Sequence, residues 1–397
     1  QKEDMNLIFQ SLGNDKRLDY IGCWFKKATD YIVSFHKAKY AFVSTSSICQ
    51  GEQVSLLWPY ILSKNVEIAF AYEPFNWSNN AKGNAGVTVV IVGLENINNN
   101  LKYLFISDRK KEVKGISPYL IPGKSTIMYQ RKVPLSNFPL MMLGSSGIDG
   151  GHLMVSLDEK KFFLDANHKS EPFLSGGDFL NGITRFCLWI DDDKIEEAKT
   201  IELIKKRIDL CKEFRLQGGR DAKKAAEVPH RFFYRKYKET ESIIVPRTSS
   251  GRRNYLPCGF LSSEIIVSNQ AFVIYDAEPF LFGILSSRMH CLWMSITSGK
   301  MRKDYSYSVN LTYNTFPFPE ISNKQKENLN LYVFAILDER AKHPSKTMAQ
   351  LYNPTTMPKG LLQAHQELDT AIEQCYRLQP FKNDTERLEY LFKQYEE

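Results

Sequence analysis

The chain has 397 residues, 43% of them apolar and 24% charged, with a formal charge of +7; these are ordinary values for a folded protein, and they argue against a disordered or fibrous one. Its length exceeds what one hydrophobic core usually supports, so two or three domains are expected. No run approaches the roughly 20 uninterrupted apolar residues of a membrane helix, and seven scattered cysteines without a C-x-x-C pair or a histidine at ligand spacing read as reduced thiols rather than a zinc site.

The N-terminus, QKEDMNLIFQ, has neither the apolar core of a signal peptide nor an initiating methionine, so a cytoplasmic location and a longer parent chain are expected. LDYIGCWFKKATDYI (Leu18 to Ile32) carries apolar residues at helical spacing, and YAFVS (Tyr40 to Ser44) reads as a short strand. GEQVSLLWPYIL is helical up to its proline, VEIAFAY is a strand, and FNWSNNAKGNAG is an aromatic, amide-rich loop running into a second apolar strand, VTVVIVGL. This alternation predicts an α/β layer with a mostly parallel sheet whose strands are covered on both faces. After Leu94 the pattern changes to short β-like runs broken by Gly, Pro and Ser, which is α+β material. One long helix interrupts it, capped by Asp193, with Ile201, Ile204, Ile208 and Cys211 on one face and Gly218 closing it. From Ser322 the chain is helical, the last helix being capped by Asp384.

The positive charge is concentrated. Between Thr200 and Phe260 fifteen Lys and Arg stand against seven Asp and Glu, interleaved with Phe232, Phe233, Tyr234, Tyr237 and Tyr255. Such a segment suits a phosphate backbone. A solvated helix face accounts for Lys205 to Arg215, but less well for Arg231 to Arg253, which lie among Pro, Gly and Ser. Several motifs are decoys. IPGKST lacks the upstream glycine of a phosphate loop, where Pro118 stands instead. Asp191, Asp192 and Asp193 suit a helix start better than a metal, and His290 beside Cys291 suits a structural role.

RLDYIGCWFKKATDYI, AFVSTSSICQGEQVSLLWPYIL and IAFAYEPFNWSNNAKGNAGVTVVIVGL, in that order, resemble the second half of the catalytic domain of MmeI-like adenine-N6 DNA methyltransferases. These are single-chain type II restriction-modification enzymes that use S-adenosylmethionine. DGGHL, FLNGITRFCLW, SSGRRNYLPCGFL, FGILSSRMHCLWM, GKMRKDYSYS and YNTFPFP are similar to landmarks of that family's target-recognition domain, and LYNPTTMPKGLLQAHQELDTAIEQCY to its C-terminal helices. The resemblance implies a partial Rossmann-like methyltransferase sheet over residues 1–95, an α+β target-recognition domain over 96–321 and an α-helical segment over 322–397.

It also implies site residues. Phe75, then Trp77, would stack on an adenine swung out of the duplex, with Asn76, Asn79 and Asn80 supporting the loop. Ser44, Thr45 and Ser46 would line the edge of the cofactor, although helix capping by Ser47 is an equal reading of that turn. Arg252, Arg253 and Asn254 would contact bases of double-stranded DNA, and Lys300, Arg302, Lys303, Tyr305 and Tyr307 would form a second contact surface. Arg288, Trp293 and Phe316 to Pro319 read as scaffolding. No Asn-Pro-Pro tetrapeptide and no Gly-rich cofactor turn occurs in the sequence. The expectation is therefore a chain that recognises DNA but neither methylates nor cleaves it, binding no S-adenosylmethionine and no metal, with the missing N-terminal half supplying the chemistry. A stand-alone specificity protein and an RNA-binding protein are the alternatives.

Overall fold

The computed structural model describes residues 1–10, 17–35, 37–77, 87–106, 109–164, 170–301 and 304–397. It begins with helices α1 (Lys2–Phe9) and α2 (Gly22–Ser34), strand β1 (Tyr40–Thr45), helix α3 (Gly51–Ser63), and strands β2 (Val66–Asn76), β3 (Thr88–Asn96), β4 (Lys102–Ile106) and β5 (Arg109–Val113). These strands form one sheet in the order β1-β3-β2-β4-β5, which continues past residue 95. β3 is antiparallel to both β1 and β2, β5 is antiparallel to β4, and β2–β4 is the one parallel pair among the described strands of this sheet. The expected mostly parallel sheet is thus corrected. β2 and β3 are a hairpin, which must be antiparallel, and β3 inserts between β1 and β2.

Local rules yield to packing in α3. Its helix continues through Pro59, although an interior proline costs about 3 kcal/mol. Val54, Leu57, Trp58 and Ile61 are fully buried on its inner face, and four such burials outweigh that cost at about 1.5–3 kcal/mol each. β2 carries two register shifts against β3, one between Ile68 and Phe70 and one between Tyr72 and Phe75. The first lets the Phe70 ring lie over Gly93, where an added Cβ would come within 2.2 Å of the ring.

Among the described residues beyond Val113 there are three further sheets. One joins Met142–Leu143, Ala271–Tyr275, Ser242–Pro246 and Gly259–Leu261; another joins Met154–Val155, Arg185–Leu188, Ser170–Leu174 and Ile266–Val267. The third is small and joins Thr248–Ser250, Asp304–Ser306 and Gly299–Met301. The single long helix expected after Asp193 is broken in two, Ile195–Lys199 and Glu202–Leu216, because Ile201 is extended and packs into a core with Ile204 and Ile208. Asp193 makes no cap.

The three long C-terminal helices are Asn323–Ala341, Lys359–Tyr376 and Asp384–Glu396, with a short one, Met348–Leu351, after the first. The last is capped by Asn383, whose side chain accepts the Glu386 N–H, rather than by Asp384; Asp384 pairs instead with Arg288 and Arg387. One continuous hydrophobic cluster runs from Phe9 through Trp58, Leu256 and Trp293 to Phe392. The sheet, the middle region and the C-terminal helices therefore share one core. None of the described helices is long and apolar enough to cross a membrane.

Candidate nucleic-acid interface

The small third sheet unites two segments that lie about 50 residues apart in sequence. Its central strand, Asp304–Ser306, pairs antiparallel on one side with Thr248–Ser250 and on the other with Gly299–Met301. Ser249 and Lys300 both face Tyr305 across it. The turn Arg252–Asn254 follows immediately from the first edge strand. Arg252 and Asn254 are exposed, and the turn is closed by the Arg253 N–H donating to Ser250 O at 3.1 Å. Arg253 is half-buried and folds back so that its Nη1 donates to Ser249 Oγ at 3.4 Å; burial lowers its pKa, against the opposing charge of Asp304.

The second expected surface is only partly a surface. Lys300 lies with Nζ 5.2 Å from the Tyr305 ring centroid, both groups are half-buried, and desolvation lowers the lysine and raises the phenol. Tyr307 is a correction: it is 4% exposed and hydrogen bonds His290 Nε2 at 2.8 Å, so it is a core residue. A strand alternates its side chains between faces, and Tyr307 turns inward onto Phe272 where the chain leaves the sheet. Arg302 and Lys303 lie outside the described residues, as do Asn79 and Asn80.

Phe75 and Trp77 end the β2–β3 hairpin, with Phe75 opposite Val89 and the Trp77 N–H donating to Val87 O at 2.8 Å. They are 37% and 43% exposed, large areas for rings at the end of a buried strand. The bulge at Glu73–Pro74 immediately precedes them, and a bulge re-aims the side chains that follow it. At the same end of the sheet, across β3, where Thr45 and Phe75 both pair with Val89, Ser44 and Ser46 are 4% and 5% exposed, with Ser44 Oγ donating to Thr45 O. Thr45 is exposed and shares a hydrogen bond with Ser47, whose hydroxyl donates to Asp19. These hydroxyls do not fit a cofactor edge, since two are buried and the third is engaged. Ser47 caps nothing; α3 has Gln50 at its N-cap, without a side-chain cap.

Much of the basic segment is internal. Arg215 is fully buried, and its guanidinium donates to five backbone carbonyls: Ile148 (3.0 Å), Ala225 (2.7 Å), Val228 (2.7 Å), Gly147 (2.7 Å) and Arg231 (2.8 Å). Arg231 and Arg235 pair with Asp192 and Asp191, and Arg235 also lies over Trp189. Asp191 and Asp192 are thus partners of arginines, and the imidazole of His230 with Arg231 and Arg235 holds the Asp192 carboxyl below its usual range. Phe232 and Tyr255 are buried. Lys205, Lys206, Lys212, Arg220, Lys223, Lys224, Lys236, Lys238 and Arg247 remain exposed, and these carry the surface charge.

Two features were not read from the sequence. Arg247 sits beside the small sheet and lines a cleft of about 550 Å³ with Glu52, Ser306 and Asn310, between α3 and the middle region. The loop around Ile148, Gly150 and Gly151 has positive φ at all three, is gripped by Arg215, and borders a cleft of about 480 Å³ with Asn269 and Gln270. The paired glycines of DGG are the sequence signal that marked it. No group of three His, Cys, Asp or Glu able to hold a metal occurs among the described residues.

Family models match all three regions: "MmeI, DNA-methyltransferase domain" over residues 1–106, "MmeI, target recognition domain" over 122–320, and "MmeI, C-terminal domain" over 321–397. The Bacillus subtilis (strain 168) protein named DNA methyltransferase A is 42% identical over 405 residues, covering 100% of this chain and 46% of that protein. A solved structure of the type IIL restriction-modification enzyme MmeI in complex with DNA matches with a TM-score of 0.89 at 37% identity, over 100% of this chain and 54% of that one. The chain spans about half the length of these relatives.

Proposed function

The chain belongs to the MmeI family, and from that premise we propose that it recognises double-stranded DNA for an adenine-N6 methyltransferase with restriction-modification character. The observation that carries this reading is the small sheet: one edge strand is flanked by Arg247 and the Arg252–Asn254 turn, and the opposite edge strand begins at Gly299 against the start of α3 in the methyltransferase region. Arg252 reads a base edge, a contact worth roughly 1–3 kcal/mol of discrimination. The exposed lysines of residues 205–238 supply affinity through phosphates without sequence preference. Phe75 and Trp77 form an apolar wall on which an extruded adenine stacks, returning ~1–3 kcal/mol of the cost of extrusion.

S-adenosylmethionine is the methyl donor this reading requires. Ser44, Thr45 and Ser46 do not fit it, and the sequence has no Asn-Pro-Pro tetrapeptide. The chemistry therefore needs groups beyond these 397 residues; the chain alone is inactive in methyl transfer and cleavage.

The test is titration of labelled duplexes, random in sequence or enriched from a random pool, at two salt concentrations. Binding should weaken steeply with salt, Arg252→Ala should remove the preference for enriched over random duplex, and equilibrium dialysis should detect no S-adenosylmethionine. A preference for single-stranded RNA, or salt-independent binding, overturns the DNA reading; tight cofactor binding overturns the division of labour.

A further inference from the structure

The turn Arg252–Asn254 is held from both ends, and the two anchors come from different parts of the chain. Upstream, Ser249 and Ser250 are paired to Tyr305 and Asp304 in the small sheet. Downstream, the very next residue, Tyr255, is 6% exposed and points away from the surface into the C-terminal helices. Its hydroxyl donates to Asp369 Oδ2 at 2.7 Å, and its ring stacks on His365 with centroids 4.3 Å apart. The other carboxylate oxygen, Oδ1, accepts the backbone N–H of Arg288 at 2.7 Å. Three residues on, Cys258 O accepts from Arg340 Nη1 at 3.0 Å, and Arg340 also contacts Tyr352, which bonds His365 Nε2 at 2.7 Å.

We propose that Asp369 is a positioning residue for base recognition: it fixes the Arg252–Asn254 turn through Tyr255, so that the C-terminal helices set sequence discrimination without touching the DNA. This rests on the reading that the turn contacts bases. A bidentate contact tolerates only ~0.5 Å of displacement before its geometry is lost. A three-residue turn pinned at one end alone can pivot about that end; pinned at both it cannot. Both carboxylate oxygens of Asp369 are committed to donors, and the half-buried setting of both bonds restrains their exchange for water.

The experiment enriches binders for the full 397-residue chain from duplexes with a randomised core. Asp369→Asn, Tyr255→Phe and the double variant are compared with Arg252→Ala and with Tyr376→Phe, which removes a hydrogen bond to Pro317 O at the far end of the same helix. Thermal melting establishes that each variant is folded at the assay temperature, and Tyr255→Phe, which loses one hydroxyl, is the mildest.

Asp369→Asn and Tyr255→Phe should each lower discrimination about tenfold, at the base positions that Arg252→Ala relaxes. The double variant should be no worse than either single one, because both break the same link. Affinity for random duplex and its salt dependence should match the parent chain, and Tyr376→Phe should retain the parent motif. If Asp369→Asn and Tyr255→Phe enrich the parent motif while Arg252→Ala relaxes it, the positioning role is overturned and base reading stands. Equal relaxation by Tyr376→Phe also overturns it, as general loosening. If the chain enriches no motif, or Arg252→Ala leaves the motif intact, the base-reading premise itself falls.

Discussion

Gly51 at the start of α3 and Gly299 at the start of the 299–306 hairpin touch: a Cβ on Gly51 would lie 3.1 Å from the Gly299 nitrogen and 3.2 Å from its Cα. Gly51 also has a φ of +56°. This contact joins the methyltransferase region to the sheet that carries the Arg252–Asn254 turn, and it exists because Gly51 has no side chain; a Cβ on Gly299 would meet nothing within 4 Å.

Gly51→Ala should therefore destabilise the chain by about 1–3 kcal/mol, combining left-handed backbone strain with a backbone clash. Urea unfolding followed by circular dichroism measures it. Wild-type stability in this variant would mean that the hairpin can shift at no cost.

Arg215→Lys should cost about 3 kcal/mol or more, despite keeping the charge. A lysine has three donors on one atom and cannot span five carbonyls, so buried acceptors are left unpaired. The denaturation midpoint reads this out, and increased proteolysis in the 147–151 loop, which the guanidinium holds, should accompany it.

Two carboxylates should give opposite pH dependences. Burial raises Asp369, with Glu373 adding to it, against the hydrogen bonds from Arg288 and Tyr255, to about 7. A raised acid contributes stability that is complete below its unfolded value near 3.9 and is lost as pH rises to about 7, at roughly 1.4 kcal/mol per unit of separation. Melting temperatures of Asp369→Asn should accordingly fall less than those of the parent chain across that window.

Glu95 behaves in the other sense. Burial pushes it up, but bonds from Lys39, Asn98 and Lys102 outweigh this and bring it down to about 2. Its contribution is complete above the unfolded value near 4.3 and is lost as pH falls toward about 2. Glu95→Gln should flatten the acid limb of the unfolding curve between those values. An acid limb identical to the parent's would remove Glu95 from the account.

The exposed Phe75 and Trp77 rings predict tighter binding to a duplex with a mispaired adenine than to its matched counterpart, since a mispaired base costs less to unstack. Replacing the ring that stacks, by Phe75→Ala or Trp77→Ala, should abolish this preference, a loss of about 1–3 kcal/mol in competition binding. Equal preference in both variants would exclude a stacking wall there.

Much of the architecture follows from the sequence alone, because hydrophobic periodicity is a local property. The bounds of α2, β1 and β3 lie within a few residues of the apolar runs that predict them, and the three C-terminal helices appear where their pattern places them. The concentration of charge between Thr200 and Phe260 and the family landmarks are likewise read from residue order. What residue order leaves open is which neighbours each side chain finds.

Tertiary structure decided that β3 inserts between β1 and β2, that α3 runs through Pro59, and that Ile201 breaks a helix to reach its core. It also sorted the cations. Arg215, Arg231 and Arg235 look no different in sequence from Arg247 and Arg252, yet the first three are bound to carbonyls and carboxylates and the last two face solvent. Tyr307 and Tyr255 were likewise drawn inward by His290 and Asp369. Periodicity states which face of an element is apolar, whereas burial and pairing depend on atoms supplied by residues tens to hundreds of positions away, and only the folded chain brings those together.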